Sequence, residues 1–315
     1  MNIREAHEKF ATDEQCLEYI GKMRWPDGII RCPECGGKNV KRVERTADSK
    51  NRRKWFYLCL EKTCHNQFTP TSGTLFHDTH LPLIVWFQAI TLMLNAKKGI
   101  SAAQLQRDLG IGGYKTAWYL NHRIREAMAE GAIPKLGGVV EIDETYVGGR
   151  NRGHRGSKKD KDVVMGIRER GGDLRMFQIE APTVKALAEH IKANVSRDVK
   201  KVMTDEWAAY PAAFIASGIK GGKHSTIRHK DKIYVQGEVH TNTIESAFSL
   251  FKRGVIGSFH KISIKHLQRY LNEFSYRFNR RADDSAFMET VRRLAGFKPL
   301  TFGTLTAEKA SPVSS

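Results

Sequence analysis

Residues 139–149 read Val-Val-Glu-Ile-Asp-Glu-Thr-Tyr-Val-Gly-Gly, and the organisation of the chain unfolds from this stretch in both directions. Val140, Ile142 and Tyr146 alternate onto one face while Glu141 and Asp143 share the other, which is the period of a half-buried β-strand rather than of a helix. Glu144 falls on the face opposite Asp143. Gly137 and Gly138 break the chain before this strand, and a basic glycine-rich stretch from Gly148 to Asp162 follows it. That stretch holds Arg150, Arg152, Arg155, Lys158, Lys159 and Lys161. It is a phosphate-gripping loop, the preferred reading, or a solvated hairpin tip.

Downstream, Val163 to Arg168 and Leu174 to Ile179 read as strands split by Gly171 and Gly172, a hairpin signal. Thr183 to Val195 is an amphipathic helix with Val184, Leu187, Ala188 and Ile191 on one side. Lys201 to Thr204 forms another strand and runs into Asp205, Glu206 and Trp207, so a second carboxylate sits at a strand end. Three meandering strands, a helix and a further strand open an α/β, ribonuclease-H-like fold with a mixed sheet. His240 to Ser246 then leads into a helix through Lys252, whose buried stripe is Ile244, Phe248, Phe251 and Val255. Glu245 and Lys252 project together about 100° from that stripe. Such an edge suits a metal and a phosphate, although a solvated helix face can carry the same pair.

Upstream, Cys32 and Cys35 form one close pair and Cys59 and Cys64 another. Two knuckles joined by a short sheet, with strands at Val40 to Arg45 and Lys54 to Leu58, bring four thiolates into the tetrahedron of a structural zinc. The second pair is wider than the first, and His65 stands beside Cys64 as a possible substitute ligand. Cys16 is left as an ordinary core or surface cysteine on a helix from Asp13 to Met23. Pro82 to Lys97 is apolar over a helical length and Gly99 stops it. A short helix capped by Ser101 carries Ala102, Leu105 and Leu109, and a turn at Gly110 to Gly113 leads to a basic helix from Tyr114 to Ala129. In that helix Trp118, Ile124 and Met128 are core candidates, while Lys115, Arg123 and Arg125 stand outside as candidate DNA contacts. The layout is that of a helix-turn-helix, or of a scaffold hairpin with the same pattern.

The 315 residues carry 52 Lys and Arg against 34 Asp and Glu, a net charge of +18 that points to a polyanionic partner. A chain with 40% hydrophobic residues buries a core rather than remaining disordered. The longest apolar run, Leu81 to Leu94, is too short to span a membrane, and the first residues lack a secretory core, so the expected location is cytoplasmic.

Taken together, the cysteine ribbon, KTAWYLNHRIREAM at 115–128, VVEIDETYVGG at 139–149, MTDEWAAY at 203–210, HTNTIESAFSLFKRGVIGSFHKIS at 240–263 and HLQRYLNEFSYRFNRR at 266–281 resemble the zinc-ribbon DDE transposases of bacterial insertion sequences, of the ISXO-like lineage. The resemblance covers most of the chain in family order. It implies an N-terminal helix and ribbon over 1–75, a helical DNA-binding segment over 76–135, a ribonuclease-H-like catalytic domain over 136–300 and a polar tail over 301–315. It implies Asp143, Asp205 and Glu245 as ligands of Mg²⁺ or Mn²⁺, with Lys252 contacting phosphate and Asn242 as an alternative third ligand. Double-stranded DNA, both element ends and target, is the implied partner, with a homo-oligomer assembled on it, nucleoid-associated when bound. The implied activity is cleavage and strand transfer. The competing readings are an inert or domesticated DNA-binding regulator and a nuclease that does not join ends. Leu267, Tyr270, Leu271, Phe274 and Phe278 make a stripe expected to pack the catalytic domain.

Overall fold

Two cysteine knuckles face each other only if a sheet folds the chain between them, and residues 40–68 supply one. In the computed structural model, which describes residues 1–315 except 47, 52, 132, 149–161, 220, 227–239 and 308–315, helices α1 (Ile3–Lys9) and α2 (Asp13–Arg24) precede it. Both start with reciprocal capping boxes, Asn2 with Glu5 and Thr12 with Gln15. Strands β1 (Val40–Glu44), β2 (Trp55–Cys59) and β3 (Gln67–Phe68) then form an antiparallel sheet with Val40 opposite Cys59. Trp25 and Phe68 pack against Cys32 and Cys59, which shields the sulfur site on one side. Cys16 is fully buried on α2, and that burial pushes its thiol up to about 12, so it is a core cysteine.

The described residues divide into two compact units. The first continues with α3 (Leu83–Asn95), α4 (Ala102–Asp108) and α5 (Tyr114–Ala127). Ser101 caps α4 by accepting from the Gln104 amide, and Gly110, at φ 61°, supplies the left-handed residue that lets the chain turn into α5. The chain returns to this unit at its end through α10 (Ala286–Gly296) and α11 (Phe302–Thr306). Among the described residues no helix is long and apolar enough to cross a membrane.

The second unit is built on five strands, β4 (Val139–Val147), β5 (Asp162–Glu169), β6 (Leu174–Ile179), β7 (Lys201–Thr204) and β8 (His224–Thr226), in the spatial order β6-β5-β4-β7-β8. The sheet is mixed: β4, β5 and β6 are antiparallel, whereas β7 and β8 run parallel to β4. Alternation sorts the side chains between two helical layers. Val140, Ile142, Met165 and Ile167 pack under α6 (Val184–Asn194) and α7 (Ala209–Ser217). On the other face Val164, Leu174 and Met176 meet Ile244, Phe248 and Phe251 of α8 (Asn242–Gly254) and Leu267, Leu271 and Phe274 of α9 (Leu267–Asn279). The centres of both predicted stripes are therefore buried, while Val255, just past α8, and Tyr270 and Phe278 pack at the margin half-buried.

Candidate functional site

In the ribbon, the Sγ atoms of Cys32, Cys35, Cys59 and Cys64 all lie within 4.8 Å of one another. Sulfurs held about 2.3 Å from a tetrahedral zinc stand about 3.8 Å apart. The observed separations are 3.7 Å for Cys32 with Cys64 and 3.6 Å for Cys35 with Cys59, so the four thiols are spaced for one such ion. Burial pushes the Cys32 thiol up, but the amides of Cys35 and Glu34 and the side chain of Asn66 outweigh it and hold it near 7. At Cys59 and Cys64 backbone hydrogen bonds are overcome by burial and the neighbouring sulfurs, which raise the Cys59 thiol and push Cys64 up to about 12. Cys32 is thus a ready thiolate, and Cys59 and Cys64 give up protons as a metal binds. His65 is exposed on left-handed backbone at φ 49° and lies outside the four-sulfur set. An all-cysteine set leaves no open position, which is the pattern of a structural zinc.

In the second unit, Asp143 sits in the middle of β4, Asp205 follows the end of β7, and Glu245 occupies the first turn of α8. Because β4 and β7 are adjacent and parallel, the first two carboxylates come from neighbouring strands, and α8 brings the third over the same face. Burial raises the Asp143 carboxyl, and the charges of Glu144, Asp205 and Glu245 push it the same way against a hydrogen bond from the Glu144 amide, to about 7. Each carboxylate is held by a local donor. The Glu144 amide donates to Asp143 Oδ1 at 2.8 Å, the Trp207 amide to Asp205 Oδ1 at 3.0 Å, and the Thr241 hydroxyl to Glu245 Oε1 at 2.8 Å. Among the described residues these oxygens do not gather within 4.8 Å as the four thiols do. Lys252 is half-buried two turns further along α8, and Asn242, the first residue of that helix, is exposed. Glu144 points to the opposite face, where the buried Tyr210 hydroxyl donates to it at 2.6 Å. Burial lifts its carboxyl to about 7, with Asp205 adding and Tyr210 opposing. Glu206 is exposed.

Two residues that position this site were not singled out in the sequence. Glu141, fully buried on the Asp143 face of β4, anchors the start of α8. The Thr243 and Ile244 amides donate to its Oε2 at 2.9 and 3.0 Å, the Thr243 hydroxyl donates to the same oxygen at 2.6 Å, and Arg170 Nε donates to Oε1 at 2.6 Å. His240 Nδ1 lies 3.2 Å from Oε1. Arg168 donates to the Thr243 carbonyl and Arg170 Nη2 to the His240 carbonyl at 2.9 Å, so the chain entering α8 is tied to β4 and β5 one residue pair from Asp143 and Glu245. Gly166 is the second. It pairs with Asp143 across the β4–β5 ladder, and a Cβ there would stand 2.7 Å from both Ile244 Cδ1 and Phe248 Cζ. Its missing side chain is what lets α8 approach the sheet beside Asp143. The signals were a glutamate between Val140 and Ile142 in an apolar strand and a glycine inside a strand, which marks close approach.

The candidate DNA contacts fare unevenly. Lys115 is exposed near the start of α5, as expected. Arg123 and Arg125 are not outside: they are 3% and 1% exposed. The Arg123 guanidinium lies over the Trp86 ring, 4.8 Å from its centroid, and donates from Nη2 to the His77 carbonyl at 2.5 Å. An arginine stem and plane pack on aromatic faces as a hydrophobic residue would, which is why a polar pattern misled here. Arg150, Arg152, Lys158 and Lys159, with most of the basic loop, lie outside the described residues.

Comparison with known proteins fits this division of the chain. Residues 11–67 match the transposase zinc-ribbon domain, and residues 135–279 match the ISXO2-like transposase domain. Over 286 residues, 85% of this chain and 91% of the relative, it is 28% identical to an uncharacterized protein in transposable element ISH50 of Halobacterium salinarum. The ribbon is thus a transposase zinc-ribbon domain, and the sheet domain is an ISXO2-like transposase domain.

Proposed function

We propose that the protein cuts the ends of an insertion sequence and joins the exposed 3′-hydroxyl to target DNA, with Asp143, Asp205 and Glu245 as the ligands of divalent cations. The observation that carries this reading is the electrostatic convergence of three carboxylates from β4, the end of β7 and α8 on one face of the sheet. Hard oxygen donors suit Mg²⁺ or Mn²⁺. The sheet order, with an antiparallel meander on one side of β4 and parallel strands on the other, supports the ribonuclease-H-like reading. The α4-turn-α5 arrangement is proposed as a helix-turn-helix-like DNA-binding element.

Bound there, two ions would activate an attacking water or 3′-hydroxyl and stabilise the leaving oxygen of an in-line displacement. The protein's own residues prepare that chemistry. Asp143, with its raised affinity for a proton, stays partly neutral at pH 7 until a cation takes the proton's place. Glu141, Arg168 and Arg170 fix the α8 start so that Glu245 meets Asp143 in one register. Glu245 is preferred to Asn242 because it is half-buried and its charge reaches Asp143. Lys252 would contact phosphate, and the net charge of +18 offsets the repulsion between carboxylates and DNA.

The test is to incubate the zinc-loaded protein with DNA carrying its own element's ends and Mg²⁺, and to separate cut from joined products. Both products are expected from wild type and neither from Asp143→Ala, Asp205→Ala or Glu245→Ala. Cutting without joining would leave a nuclease, and binding without either would leave a regulator.

A further inference from the structure

Lys115, Tyr119 and Arg123 follow one another at four-residue spacing on α5, so they share one face of that helix. This face borders a cavity of about 450 Å³, closed on its other sides by Trp86 of α3, the 78–81 segment and Phe302 of α11. All of these residues belong to the first unit. The lining sets the Tyr119 and Phe302 rings, with Trp86 buried behind them, beside two cations and one carboxylate, Asp78.

Arg123 forms the deep end. Its guanidinium lies between Trp86 and Tyr119, with Cζ 4.8 and 5.1 Å from the ring centroids. Nη2 is engaged by the His77 carbonyl, and the buried Nε has no acceptor among the described residues. That nitrogen has essentially no accessible surface, so what Arg123 offers the cavity is the positive charge of its guanidinium rather than this donor. At the outer end, the exposed Lys115 places its Nζ 4.2 Å over the Phe302 ring. A cation outside, aromatic walls and a guanidinium inside suit one kind of guest. It is a flat ring with carbonyl or ring-nitrogen acceptors, carried on an anionic backbone. The volume admits a single base with its sugar, and is far too small for a duplex.

We propose that this cavity receives one unpaired nucleobase of bound DNA, stacked against the aromatic wall, while Lys115 neutralises the adjoining phosphate. The inference rests on the DNA-processing reading above. A base must leave the duplex stack to enter, and it does so most readily where it is already single-stranded or mismatched. The face of α5 that would otherwise lie along a groove therefore captures a base.

The test compares the full-length, zinc-loaded protein on two fluorescently labelled strands of equal length and charge, twelve-residue oligothymidylate and its abasic counterpart, by anisotropy at one salt concentration. Oligothymidylate is expected to bind roughly fivefold to a hundredfold more tightly, the range of base–aromatic stacking. Phe302→Ala should abolish that ratio while leaving abasic binding unchanged, Phe302→Trp should retain it, and Lys115→Ala should weaken both strands alike. Equal binding of the two strands by wild type overturns the base site and leaves the DNA reading standing. A base preference that persists in Phe302→Ala places stacking elsewhere and also overturns it. Failure to bind either strand at low salt overturns the base site, and a labelled duplex of the element's end in the same assay shows whether the DNA reading falls with it.

Discussion

Replacing Glu141 removes the acceptor on which the start of α8 is built. The carboxylate is 0% exposed and takes hydrogen bonds from two helix amides, one hydroxyl and the Arg170 guanidinium. Alanine would leave two amides and a hydroxyl without their acceptor and take the carboxylate from Arg170, which is partly exposed and keeps the His240 carbonyl. At about 1–3 kcal/mol per buried donor left unsatisfied, the loss is about 3–5 kcal/mol. For a unit of this size that corresponds to a fall of roughly 6–20 °C in melting temperature. Glu141→Gln keeps the volume and one accepting oxygen but turns an NH₂ towards the donors, and should lose about 2 kcal/mol. Because Arg170 is one of the donors that lose the carboxylate, combining Glu141→Met with Arg170→Met should recover part of the loss. Urea and thermal melts of the zinc-loaded protein measure the totals, and hydrogen exchange at the Thr243 and Ile244 amides reads the effect where it arises. A Glu141→Ala melt within about 1 kcal/mol of wild type, below the cost of leaving several buried donors unsatisfied, or an Ile244 amide that keeps its protection, contradicts this anchoring.

Gly166→Ala would drive a methyl into Ile244 and Phe248 at 2.7 Å, and should destabilise the α8 packing by about 1–3 kcal/mol; a melt unchanged from wild type contradicts the close approach. Elemental analysis should find one zinc per chain, absent from Cys59→Ser, and chelation should unfold the ribbon, because structural zinc supplies on the order of 10 kcal/mol of apparent folding free energy in small ribbons. Intact near-ultraviolet dichroism after chelation would rule that out. Asp143 is raised from 3.8 to about 7, so the folded state holds its proton more tightly than the unfolded state does. Stability from this group is therefore present at low pH and lost as pH rises from about 4 through 7, by up to roughly 4 kcal/mol. Without divalent cations, Asp143→Asn should gain on wild type between about pH 5 and pH 8; a constant difference in melting temperature across that range refutes the shift.

Much of this molecule could be read because its elements obey short-range rules. The alternation in 139–147 placed Asp143 and Glu144 on opposite faces of one strand, and the structure keeps them so, with Glu144 bonded to Tyr210. The 3.6-residue stripe of Ile244, Phe248 and Phe251 and the cysteine pairs were equally local signals. What escaped the sequence depends on distant partners. Arg123 looked like a surface cation until Trp86 and His77, from elsewhere in the chain, were folded against it. Glu141 found its role with Arg170, Thr243 and Ile244, the last two about a hundred residues on. No periodicity in either segment announces such a pairing.

The most direct measurement is Mn²⁺ binding to the zinc-loaded protein, followed by electron paramagnetic resonance, for wild type and the single variants Asp143→Ala, Asp205→Ala, Glu245→Ala and Asn242→Ala. If the three carboxylates form one cation site, wild type and Asn242→Ala bind Mn²⁺ alike and each carboxylate variant binds it far more weakly. Binding that survives all three carboxylate substitutions, or that is lost with Asn242→Ala and kept by Glu245→Ala, contradicts the site described here.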